Sequence, residues 1–135
     1  DKGIQYHIMS LEESGIAADT FNANCVLIPW GVFMDAELMD EHYIHSLGDF
    51  DYGLSLKRRG CRIYSLDEYV GVCDDNPTGG TWQDKSLSRR ERIRRKESIK
   101  GAPAKQWFYF LKKNFGLRQA LWSSATPYIR IMLGR

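Results

Sequence analysis

Gly48-Asp49-Phe50-Asp51-Tyr52-Gly53-Leu54-Ser55-Leu56-Lys57-Arg58-Arg59-Gly60 is the stretch on which the reading of this chain turns. Every local signal in it points to one helix. Two carboxylates open it, where the positive end of the helix dipole favours an anion, and Lys57, Arg58 and Arg59 close it, where the negative end favours a cation. Phe50, Leu54 and Leu56 supply a buried side, and Gly60 supplies the left-handed stop. Asp49 is expected at the N-cap and Asp51 in the first turn; two apart, they do not share a helical face. A carboxylate held there can take a proton from a hydroxyl as a bond forms to it, which is general-base chemistry. The plainer alternative is that Asp49 only caps the helix.

Upstream of this helix, Cys25-Val26-Leu27-Ile28 is a compact β-rich run stopped by Pro29 and is predicted to be a buried strand. From Trp30 to Met39 the apolar positions follow a short helical pattern, and the polar stretch from Asp40 to Ser46 is expected as an exposed loop. Downstream, residues 61–66 and 69–73 alternate like strands and are followed by a polar loop over 74–80. Residues 1–24 carry little periodicity and are read as loop with one short strand.

Beyond this unit the chain changes in kind. Ser88-Arg89-Arg90-Glu91 has capping-box spacing and starts a helix running to about Lys100, expected to bury little. Pro103 suits the first turn of a second helix, which ends at Gly116. A last amphipathic piece carries Leu121 and Trp122 and is expected to break near Pro127. Charge marks the same division. Residues 1–84 hold 5 Lys/Arg against 15 Asp/Glu, whereas residues 85–135 hold 14 Lys/Arg against 2 Glu. The domain boundary is therefore set between an acidic body, 1–84, and a basic, aromatic helical tail, 85–135, whose charge suits an anionic lipid surface, a nucleic acid or an internal clamp.

The chain has 135 residues, 43% of them hydrophobic and 27% charged, enough for one small domain with a core of its own. Three cysteines without a CxxC pair signal neither a disulfide framework nor a zinc ribbon. No apolar run approaches the length of a membrane span. The chain begins at Asp1 rather than Met and is read as a piece of a longer protein.

In order and spacing, the Cys25–Pro29 run, the short helix, the Gly48–Leu54 helix start and the Lys57–Ile63 stretch resemble the C-terminal, acceptor-side half of bacterial family 2 glycosyltransferases of the GT-A fold, over roughly residues 20–76. The fold expected from that resemblance is α/β, a small mixed sheet with flanking helices, partial and GT-A-like, followed by the helical basic tail. The implied activity is transfer of a sugar, with inversion, from a nucleotide-sugar donor to a membrane-linked or surface-glycan acceptor, as in cell-surface polysaccharide biosynthesis.

The resemblance also implies roles residue by residue. Asp49 aligns with the catalytic base. Asn22 and Asn24 fall on the loop that lines the donor-sugar and acceptor pocket, Trp30 and His45 border the acceptor groove, and Asp51 joins the substrate-binding set. The family's metal-closing histidine is missing near Cys73, which leaves Asp74 and Asp75 as substitutes. Gly48 stands where a glutamate is common, and Ser55 where an arginine is. The nucleotide-binding sheet and the Asp-x-Asp metal motif belong to the family's first half, and nothing before Asn22 supplies them.

A divalent metal, manganese or magnesium, is therefore expected in the complete enzyme and none on this chain alone, which should be inactive by itself. The expected location is the cytoplasmic face of a membrane, held peripherally through the tail. The rival reading is a non-enzymatic module whose tail binds nucleic acid or anionic membrane; the acidic body and the lack of nucleic-acid signatures speak against nucleic acid. His42 and His45 are three apart without a third ligand, and Cys61 and Cys73 are read as free thiols.

Overall fold

The computed structural model describes residues 4, 7–45, 47–72 and 79–135. The chain divides into two compact units. One draws its described residues from 7–41 and 48–72, the other from residue 4, 42–45, 47 and 79–135. The described residues are mostly helical, with a small amount of strand.

In the first unit the decisive stretch is helical as expected: α2 runs Gly48–Arg58, with Asp49 and Asp51 in its first turn and Lys57 and Arg58 in its last. Gly60 stops it at φ +87°, a conformation that costs glycine little. Helix α1, Trp30–Asp35, is shorter than the pattern to Met39 suggests; Ala36 leaves the helix in extended conformation while its amide still donates to Val32 O. The sheet corrects the sequence reading. Instead of a mixed sheet built on 25–28, 61–66 and 69–73, the strands are β1, Ala17–Ala18, and β2, Ile63–Tyr64. They form one antiparallel pair, with Ala17 opposite Tyr64 and Ala18 opposite Ile63.

The 25–28 run forms no strand and Leu27 is 95% exposed; residues 69–72 are likewise irregular and Val72 is fully exposed. A strand exists only where a neighbour completes its ladder, and no described residue pairs with either run. Among the described residues, Leu56 is the one buried large apolar side chain of this unit, accompanied by Asp51 and Gly53 on the same helix.

The second unit is helical. Ser88 caps α3, Arg89–Lys96, by accepting from the Glu91 amide at 3.2 Å. Helix α4, Ala104–Phe115, turns at Gly116 into α5, Leu117–Met132, and the two form a hairpin around Phe110, Leu111, Ala120 and Ile131. Burying side chains such as Leu111 and Ile131 is the main stabiliser here, each worth about 2–5 kcal/mol against alanine.

Two expectations for the tail are corrected. Pro127 lies inside α5 and does not break it. A proline withholds the amide that would bond to the carbonyl four residues earlier, here Ser123; that carbonyl instead faces the Trp107 indole N–H of α4, at 3.4 Å. Nor does α3 bury little, since Arg92 and Lys96, one turn apart, are both buried. Arg92 donates through Nε to Trp82 O at 2.8 Å and through Nη2 to Arg135 O at 2.7 Å. Lys96 donates to Ala102 O, with burial pushing its ammonium pKa down and neighbouring Glu97 opposing that shift. Part of the tail's basic charge is thus spent on internal carbonyls.

Candidate functional site

The first unit carries an apolar cavity of about 310 Å³ that is open to solvent, with Leu38 of its lining 85% exposed. Phe21, Val26, Ile28, Phe33 and Tyr52 supply much of its wall, together with Leu38 and Met39. Asp49 and Glu37 are its acidic lining residues. The apolar surroundings suit the body of a ring or chain, and a carboxylate in such a wall is the group able to exchange a proton with a bound hydroxyl.

The fold places Asp49 there through local causes. It projects from the first turn of α2 rather than from the N-cap, because the helix begins at Gly48. Its Oδ2 accepts from the Ala23 amide at 3.1 Å, and its Oδ1 accepts from the Phe50 amide at 2.8 Å. A carboxylate oxygen has room to accept more than one hydrogen bond, so neither amide exhausts it. The amides fix the carboxylate's orientation and tie α2 to the 22–24 loop. A second tie lies at the next residue, where Thr20 Oγ1 donates to Phe50 O at 2.7 Å.

The other sequence-predicted residues fall in different places. Asn22 and Asn24 are exposed, and Asn22 Oδ1 accepts from the Asn24 amide at 3.2 Å, which folds the loop so that Ala23 between them faces Asp49. Trp30 is 72% exposed and stacks on Phe33, ring centres 5.6 Å apart, so it adjoins the cavity wall through that ring. Asp51 is 3% exposed and is not among the cavity's lining residues, as two-residue spacing on a helix requires. His45 is exposed and belongs to the helical unit, where His42 stacks on Tyr109 at 4.3 Å.

Asp74, Asp75 and Cys73 lie outside the described residues. Among the described residues no group of three or more His, Cys, Asp or Glu side chains could hold a metal ion. Cys25 and Cys61 are free thiols.

Sequence reasoning missed Glu37 and Tyr52 as cavity residues. Tyr52 sits inside the acidic start of α2, three residues after Asp49, a spacing that brings both to one side of the helix and could have identified it. No family model, curated protein or solved structure matches this chain.

Proposed function

We propose that this chain forms the acceptor side of a family 2-like glycosyltransferase, with Asp49 as the base. The complete enzyme transfers a sugar, with inversion, from a nucleotide-sugar donor to a membrane-linked or surface glycan at the cytoplasmic face of a membrane. The acceptor hydroxyl gives its proton to the Asp49 carboxylate as its oxygen attacks the anomeric carbon, and the bond from that carbon to the nucleotide phosphate breaks. Donor and divalent metal, manganese or magnesium, are held outside the described residues.

The observation that carries the reading is the 3.1 Å bond from the Ala23 amide to Asp49 Oδ2. It joins the two segments, the 22–24 loop and the acidic helix start, that a glycosyltransferase acceptor site needs at one wall of one cavity. The β-rich runs 25–28 and 69–72 add support, because they expose Leu27, Tyr69, Val70 and Val72 as half of a larger domain would.

The test measures transfer by the complete enzyme from a panel of nucleotide sugars to lipid-linked glycans of a membrane fraction, with manganese or magnesium present. Asp49→Asn is expected to lower the chemical step about 10²–10⁴-fold while donor binding persists. Near-normal transfer by a stable Asp49→Asn enzyme overturns the assignment of the base. The absence of transfer by the unaltered enzyme from every donor overturns the activity.

A further inference from the structure

We infer that the outer face of α5 docks onto a bilayer rich in anionic lipid. This surface belongs to the helical unit and its function does not depend on the glycosyl-transfer reading. Helix α5 packs on α4 and on α3 from one side, and it carries a second apolar face away from them. The inner face buries Ala120, Ser123 and Ile131. The outer face carries Leu121, Trp122, Ile129, Met132 and Leu133, all between 51% and 63% exposed.

At about 100° per residue these five positions, with Leu133 just past the end of α5, fall within about 120° of one another and so share one side of the helix. An apolar groove of about 500 Å³ between α4 and α5, lined by Ala104, Phe108, Leu121, Ala125 and Tyr128 together with Lys105, shares Leu121 and Ala125 with the exposed helix surface.

Charge selects the occupant. Residues 98–135 contain seven Lys/Arg and no Asp or Glu. A second copy would bring the same positive charge to this face and be repelled, whereas anionic headgroups are attracted. A nucleic acid would also be attracted, but four of the five outer side chains are aliphatic and have no use against phosphate or sugar. Those side chains suit the acyl region just below the headgroups, and a tryptophan among them suits the boundary between the two. Among the described residues no helix is long and apolar enough to cross a membrane, so α5 would lie along the surface.

The experiment is co-sedimentation of the full chain with phosphatidylcholine vesicles, with and without phosphatidylglycerol, across a salt series. Binding is expected to anionic vesicles and to weaken as salt rises. The double substitution Leu121→Gln with Ile129→Gln should weaken it at least tenfold. Arg118→Gln with Arg130→Gln should reduce it about fivefold per charge and flatten the salt dependence. Circular dichroism checks that each variant keeps its helices, and Trp122→Ser alone replaces the glutamine pair if that pair unfolds.

Equal binding to neutral and anionic vesicles overturns the proposal, as does unchanged binding by the folded outer-face variants. Tighter binding to a nucleic-acid duplex than to anionic vesicles overturns it in favour of nucleic acid. Self-association abolished by the glutamine pair, without vesicle binding, overturns it in favour of a second copy.

Discussion

Gly53 lies so close to Thr20 that a Cβ built on the glycine would stand 2.4 Å from Thr20 Oγ1, 3.0 Å from Thr20 Cα and 3.1 Å from the Phe21 amide nitrogen. The last two are backbone atoms, which cannot swing aside as a side chain can. This close approach is what allows α2 to pack on the 20–23 segment and the Asp49 carboxylate to reach Ala23.

Gly53→Ala is therefore expected to destabilise the first unit by about 1–3 kcal/mol through overpacking, despite alanine's better helix propensity. Gly31→Ala in α1, where an added Cβ meets nothing within 4 Å, is the control and should cost nothing or stabilise slightly. Urea unfolding of the two variants makes the comparison, and equal stabilities would remove the packing role given to Gly53.

At Asp49 the structural and chemical contributions separate by substitution. Asp49→Ala deprives the Ala23 amide of its acceptor and should cost about 0.5–1.5 kcal/mol. Asp49→Asn retains a carbonyl oxygen for that amide and should cost less. Amide exchange at Ala23 reports the difference directly: faster in the alanine variant and close to the unaltered rate in the asparagine variant.

Arg92 should prove irreplaceable even by lysine. Its two donors reach two separate carbonyls, Trp82 O and Arg135 O, from a buried position, and a single ammonium on a flexible stem does not reproduce that fork. Arg92→Lys is expected to lose about 1.5–3 kcal/mol of helical-unit stability. Thermal unfolding indistinguishable from the unaltered chain would show that the buried carbonyls find other donors.

Asp84 accepts from the Gly80 amide at 2.7 Å and from the Ser86 amide and hydroxyl at 2.9 and 2.6 Å. The Gly80 bond first, then those from Ser86, pull its carboxyl pKa down to about 2 from 3.8. Because the folded value is the lower one, ionised Asp84 favours the fold fully above pH 3.8, and that contribution disappears as pH falls through 2. A carboxyl titration followed by NMR should place its midpoint near 2 in the folded chain, and Asp84→Asn should flatten the acid limb of the stability curve between those two values.

Legibility in the sequence followed the range of the forces involved. Helix α2 and the Ser88 cap could be read because end charges, the cap and the terminal glycine act within one or two turns of the residues that carry them. The Asp49 site was half legible: its acidic helix start stands in one segment, but the partner amide belongs to Ala23, a residue whose side chain carries no chemical signal. The strands could not be read in the same way. Residues 25–28 have β propensity and no ladder, whereas Ala17 and Ala18, poor strand formers, pair because Tyr64 and Ile63 lie opposite them. The burial of Arg92 was hidden by its charge, and the continuity of α5 by its proline.

That continuity makes Pro127 and Trp107 a coupled pair. The ring removes one bond from the axis of α5, and the indole of α4 replaces it from outside, so a residue that usually interrupts a helix here fastens one helix to another. Neither position is then free to vary alone. Losing the indole leaves a carbonyl stranded by the proline, but once the proline is gone the helix closes its own ladder and the indole becomes dispensable. A chain that had exchanged both residues would fold much as this one does, while each single exchange on the way would carry a different penalty, so the order of the two steps would decide which route between them stays open.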